Sequence, residues 1–138
     1  MGKIVQKSIE NFKGGLSCSE AVVKACYDVG LVDESLINIA TSFSGGMGVR
    51  CLCGAVAGAE MVIGAMYGRS KTSDGKLARK LAKEFFEKFA EKYKVACCKV
   101  LSAKYEFASP ERKQHCSLMV YDICEILEEI LTNNKVEV

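Results

Sequence analysis

The stretch Ser44 to Gly68, SGGMGVRCLCGAVAGAEMVIGAMYG, constrains this chain more than any other. It opens with a glycine-rich turn, passes two cysteines one residue apart and runs into an almost uncharged helical segment. Between Cys51 and Tyr67 the one charged residue is Glu60. A helix apolar on every side is buried in a protein core or in a membrane. The run is short for a membrane span and carries Glu60 in its middle, so the core reading is taken, with no transmembrane segment. Gly54, Ala57, Gly58, Ala59, Gly64 and Ala65 let neighbouring helices come close, and the same small residues make a homodimer contact an expectation. Glu60, if buried, needs a partner or a raised pKa. Gly45, Gly46 and Gly48 allow left-handed backbone angles or a close approach of backbone to something else.

The rest of the chain reads as helices around that segment. Val5, Ile9 and Phe12 share one face of a helix from about Lys3 to Lys13, stopped by Gly14 and Gly15. Ser17 and Glu20 form a capping-box pattern that starts a second helix with Cys18 at its first position. Asp33 caps a short third helix through Ala40, and the central helix runs from about Arg50 or Cys51 to Tyr67. Arg69 to Gly75 is a polar linker. Asp74 or Ser73 then caps a long helix with Leu77, Leu81, Phe85, Phe89 and Tyr93 at i, i+4 spacing. A last helix, about Glu111 to Leu131, aligns Cys116, Val120, Ile123, Leu127 and Ile130. One proline, no tryptophan and no convincing strand pattern favour a single all-α domain over residues 1–138, a bundle of five to six helices.

A net charge of +2 gives no steering toward nucleic acid. Eight cysteines are many for 138 residues. The N-terminal MGKIVQKSIENFKGG has no hydrophobic signal core, so the expectation is a cytoplasmic protein, where lasting disulfides are uncommon. Cysteines in such a compartment serve metal binding, redox chemistry or packing. A helix N-terminus favours the thiolate, because unpaired N–H groups and the dipole stabilise an anion. Cys18, Cys53 and Cys116 fall in or near first helical turns and face inward, and Cys98 sits in a cysteine pair before a short apolar run. Four such thiols from four segments suit a disulfide cycle, zinc or an iron–sulfur cluster. Cys26 and Cys124, on apolar stripes away from helix starts, read as small buried hydrophobes. Spacing alone assigns no role to Cys51 or Cys97. His115, the single histidine, lies next to Cys116 and is a candidate ligand or base, although a lone histidine at a helix start reads more simply as an exposed residue.

At these cysteines the sequence resembles the C_GCAxxG_C_C family of small proteins described as redox-active. CGAVAG at Cys53 to Gly58 fits its CGAxxG motif, with GGMG before it. SCSEAV around Cys18, CKVL from Cys98 and HCSLMV around Cys116 are similar to its other cysteine segments, in the same order. The resemblance implies a redox or metal role for Cys18, Cys53, Cys98 and Cys116. A similar domain in split-Soret-type cytochromes implies iron–sulfur chemistry. No C-x-x-C-H is present, so covalent haem is not expected.

The leading expectation is therefore electron transfer through a cysteine-ligated iron–sulfur cluster, with Gly45, Gly46, Gly48 and Gly54 bringing backbone donors to it. The alternatives are a metal-free thiol–disulfide protein and a zinc-binding helical adaptor. A redox partner protein is implied but not identified. No triad, phosphate loop or paired-carboxylate site points to an enzyme with a small-molecule substrate.

Overall fold

The computed structural model describes residues 2–50, 52–72, 74–94, 106 and 109–136. Every regular element among them is helical. They are α1 (Lys3–Lys13), α2 (Cys18–Asp28), α3 (Ser35–Thr41), α4 (Gly54–Tyr67), the single turn α5 (Arg69–Thr72), α6 (Lys76–Tyr93) and α7 (Pro110–Asn133). The all-α bundle expected from the sequence is the observed fold. No helix of the described residues is long and apolar enough to cross a membrane.

Local chemistry explains most helix ends. Ile4, Val5, Ser8 and Phe12 are the buried side of α1, and the Gly14 N–H closes its last turn onto the Glu10 carbonyl. The capping box of α2 is present in both directions. The Ser17 N–H donates to Glu20 Oε1 at 2.9 Å, and the Glu20 N–H donates to Ser17 Oγ at 3.3 Å. Asp33 accepts from the Ser35 N–H at 3.0 Å, so it caps a turn, and α3 has Glu34 as its N-cap and starts at Ser35, one residue later than expected. The N-cap of α6 is Gly75, at φ +72°, in place of Asp74 or Ser73. Asp74 still contributes, accepting from the Lys76 N–H at 3.0 Å. The polar linker contains the helical turn α5.

The central helix starts at Gly54, later than the Arg50 or Cys51 expected. The cause is a left-handed run. Gly45, Gly46, Met47, Gly48, Arg50 and Leu52 all have φ between 58° and 73°. A right-handed helix cannot begin until the chain leaves that region. Glycine takes these angles freely, whereas Met47, Arg50 and Leu52 each bear a cost of about 1 kcal/mol.

Two contacts fix the helix directions. Asn11 Nδ2 donates to the Ala21 carbonyl at 3.3 Å, across the tight α1–α2 connection. The Val5 N–H donates to Glu128 Oε1 at 2.8 Å, which places the start of α1 against the far half of α7. Helix α1 is thus antiparallel to both α2 and α7, and α2 and α7 run parallel. The core is one continuous cluster drawn from α1, α2, α3, α4, α6 and α7.

Helix α4 crosses α2 at backbone distance. A Cβ on Gly58 would stand 2.9 Å from the Ser19 carbonyl oxygen, and one on Gly54 would stand 3.0 Å from the Phe43 carbonyl oxygen. The expected burial of α4 holds from Gly54 to Ala59 and at Val62 and Ile63. Beyond that, one side is open: Glu60 and Met61 are half-buried and Gly64 is exposed. Glu60 borders a shallow groove of about 370 Å³ shared with Phe43, Leu52 and Phe86. Its Oε1 has no hydrogen-bond partner among the described residues. Burial raises the carboxyl from an ordinary 4.5 to about 7.

Gly58→Ala forces α4 away from α2 and is expected to lower stability by about 2 kcal/mol, read from the urea midpoint. Glu60 has a folded pKa above its unfolded value. Its contribution is therefore complete below about pH 4.5 and is lost as pH rises through about 7. Glu60→Gln should match the wild type near pH 4 and exceed it at pH 8. The gain expected is about 1 kcal/mol, discounted for the carboxyl's partial exposure. Equal urea midpoints at pH 8 would contradict this.

Candidate redox site

The site begins at the start of α2. Ser17 is the N-cap, so Cys18 takes the first helical position, as expected. This helix start is braced by side chains from α3 and the turn after it. Ser19 Oγ donates to the Ala40 carbonyl at 2.7 Å, Thr41 Oγ1 to Glu20 Oε2 at 2.7 Å, and Ser44 Oγ to Ser17 Oγ at 2.7 Å. The Ser17 backbone N–H and the Thr41 hydroxyl hold Glu20 below its ordinary pKa. Glu20 is thereby kept as the anion that the cap requires.

Cys116 reaches Cys18 from α7. It was expected near a helix start, but α7 begins at Pro110 and Cys116 is its seventh residue, in the second turn. A helix N-terminus is therefore not what acts on this thiol. The Cys18 side chain hydrogen-bonds to it, burial opposes the anion, and the nearby Arg112 guanidinium favours it. The balance lowers Cys116 from 9.0 to about 7. Cys116 is 8 % exposed, and Cys18 is the more open of the two.

Cys53 is the N-cap of α4 and is 5 % exposed. Its sulfur makes no cap hydrogen bond. The following residue, Gly54, lies against Ser19: a Cβ there would stand 3.4 Å from the Ser19 nitrogen. The starts of α2 and α4 therefore meet, and each carries a cysteine. On its other side Cys53 is within electrostatic reach of Tyr93, at the end of α6. The Tyr93 phenol is raised by burial, by its hydrogen bond to Asp122, by the Asp122 charge and last by Cys53. Tyr93 O–H donates to the Asp122 carboxylate, which Lys92 also holds, with Nζ 2.9 Å from Oδ1.

Of the four cysteines singled out in the sequence, Cys18 and Cys116 are in contact and Cys53 sits at the adjoining helix start. Cys98 lies outside the described residues, as do Cys51 and Cys97. Gly45, Gly46 and Gly48 lie in the left-handed run before Cys53, and Gly54 faces Ser19 and the Phe43 carbonyl. Sequence reading missed Arg112, Tyr93 and Asp122 as neighbours of the thiols. Arg112 had a usable signal, since i and i+4 residues share a helix face. The pairing of Tyr93 with Asp122 joins residues 29 apart and left none.

Among the described residues, no three His, Cys, Asp or Glu side chains stand together as a metal site. What the arrangement offers directly is two sulfurs in hydrogen-bond contact, one of them acidic enough to ionise near neutral pH. Such a pair holds one proton between two sulfurs and titrates as a unit.

No curated protein and no solved structure matches the chain. A family model described as "Putative redox-active protein (C_GCAxxG_C_C)" matches residues 16–130. That span takes in all three described site cysteines and both glycines of the α2–α4 crossing, and the chain belongs to the C_GCAxxG_C_C family.

Proposed function

We propose that this protein is a thiol–disulfide redox protein in which Cys18 and Cys116 are the reacting pair. The observation that carries this reading is the hydrogen bond between their side chains, with Cys116 lowered to about 7. Near neutral pH the pair has lost one proton. A disulfide R–S–S–R reaches Cys18 first, because Cys18 is the more exposed. As the Cys18 sulfur attacks, its proton passes to Cys116, the S–S bond breaks and one R–S⁻ leaves. The Cys116 thiol gives that proton to the departing thiolate and attacks Cys18 Sγ, releasing the second R–S⁻. The protein loses two electrons and forms one disulfide, and the substrate is reduced to two thiols. A partner protein's dithiol restores the reduced pair by the reverse sequence.

A second reading is electron transfer through an iron–sulfur cluster, or binding of zinc, by Cys18, Cys53, Cys98 and Cys116. The soft donor set supports it: three of these cysteines come from three helices at one end of the bundle. As placed, the described thiols do not form a metal cage, and this reading depends on Cys98.

Purification without oxygen, followed by a visible spectrum, metal and sulfide analysis and thiol counting, separates the readings. For the dithiol reading, a brief exposure to a small disulfide should remove two thiols reversibly. Neither Cys18→Ser nor Cys116→Ser should show that loss. Iron with sulfide and broad visible absorption would replace this reading with the cluster, and one zinc per chain would replace it with the adaptor.

The titration is a separate check. Thiolate absorbance in the ultraviolet should rise with a midpoint near pH 7, and Cys116→Ser should remove that step. The folded pKa of Cys116 lies below its unfolded value. Its contribution to stability is thus complete above about pH 9 and lost as pH falls through about 7.

A further inference from the structure

The open side of α4 carries a group that the thiol chemistry does not use. Val56 and Ala57, both buried, and Phe43, Leu52, Met61 and Phe86, all more open, line the groove of about 370 Å³ beside Glu60. Two of these side chains are held from behind. The Phe86 ring lies against the fully buried Phe89, with centroids 6.3 Å apart. Leu52 packs on the core from its place in the left-handed run, at φ 61°. In this apolar lining Glu60 is the one charged residue among the described residues. Its Oε1 is closed to solvent and has no hydrogen-bond partner among them. Burial is what raises the carboxyl to about 7. On α6, Lys83 and Glu87 pair with each other at 3.7 Å, and neither lines the groove. A desolvated acid without a partner costs stability. Stability given up in this way is characteristic of ligand sites, where the missing partner arrives with the ligand.

We propose that this groove binds a small organic cation, an ammonium head on a short apolar body, with Glu60 receiving the head. The chemistry of the lining selects that class. An anion is repelled by the Glu60 carboxylate, and a purely apolar guest leaves Oε1 unpaired. One carboxylate among apolar side chains does not suit a divalent metal ion, which takes about six oxygens. An ammonium ion donates to Oε1 and supplies the opposite charge in a partly desolvated place, where a charged hydrogen bond is strong. The apolar body then lies on Val56, Met61 and the aromatic side chains of Phe43 and Phe86, and a cation near an aromatic face gains further. The volume is at the small end of ligand pockets, which run from about 300 to 1,000 Å³, so the body is one ring or a short alkyl chain. Because Phe86 and Leu52 are already held by the core, little ordering is needed on binding.

The test is a titration of the isotope-labelled full chain with 2-phenylethylammonium, followed by amide and methyl NMR signals at pH 6, pH 7 and pH 8. This probe stays cationic over that range. The expected result is saturable shifts centred on Leu52, Val56, Glu60, Met61 and Phe86. The dissociation constant should fall about tenfold from pH 6 to pH 8, because the carboxyl ionises through about 7 and its anion attracts the head. Glu60→Gln keeps the shape of the groove. It should bind about tenfold more weakly than the wild type at pH 8 and lose the pH dependence. Phe86→Ala should weaken binding at every pH and keep the pH dependence. Equal affinity of Glu60→Gln at pH 8, or equal binding of the anion 3-phenylpropionate, would overturn the proposal. So would the absence of saturable shifts with both this probe and hexylammonium. Shifts of the same signals on dilution alone would mean that a second copy of the chain covers the groove, and would also overturn it. None of these readouts involves Cys18 or Cys116, so this site and the dithiol function stand or fall separately.

Discussion

The approach of α4 to α2 at Gly58 sets the geometry on which the site depends. With no Cβ on that residue, the helix lies directly on the Ser19 backbone. Any side chain there would wedge the helix starts apart, and with them Cys18 and Cys53. Gly54 repeats the condition one turn earlier against Phe43 and Ser19. The polar residues of the SCSE segment then have a clear purpose. Ser17, Ser19 and Glu20 fasten this helix start to Ala40, Thr41 and Ser44 by hydrogen bonds. The segments around Cys18 and Cys53 are thus two halves of one contact, and the turn between them is tied to both.

One residue type has been given opposite chemistry on one pair of helices. At the outer ends of α2 and α7, Cys116 has a thiol donor beside it and a guanidinium nearby, and its anion is accessible near neutral pH. About 12 Å deeper, Cys26 and Cys124 meet apolar side chains, a hydroxyl and the carboxylate of Glu128, and their anions are suppressed. Desolvation acts in both places. It loses to local charge and hydrogen bonding at the outer pair and wins at the inner one.

Much of this was legible in the sequence because the signals were local. The capping box at Ser17 and Glu20, the glycine stop after α1 and the apolar stripes of α6 and α7 each depend on residues a few positions apart. The closeness of α4 to its neighbours was legible in its small residues, although not which glycine touches what. The open side of α4 was not legible, because a residue such as Met61 looks the same whether or not a neighbouring helix covers it. The start of α4 was misplaced because Arg50 and Leu52 are ordinary helix residues held at positive φ. Their conformation is imposed by what lies on either side, which propensity does not encode. Cys116 was rightly placed as an inward thiol by its apolar stripe, but its acidity has a different source from the helix start expected: it comes from Cys18 and Arg112, across and along the bundle.

The left-handed run also determines how Cys53 differs from the other two thiols. Had the helix begun at Cys51, Cys53 would lie inside the first turn, where helix N–H groups lack partners and favour a thiolate. Delaying the start to Gly54 leaves Cys53 on the cap, with a sulfur that takes no cap hydrogen bond and lies within electrostatic reach of Tyr93. The charge on that side is the Asp122 carboxylate, already engaged by Tyr93 and Lys92. The charge beside Cys116 is a guanidinium. Three inward cysteines at one end of a bundle are thus not equivalent. The left-handed run sets Cys53 on the cap of α4, whereas Cys18 and Cys116 are joined by a hydrogen bond between their side chains.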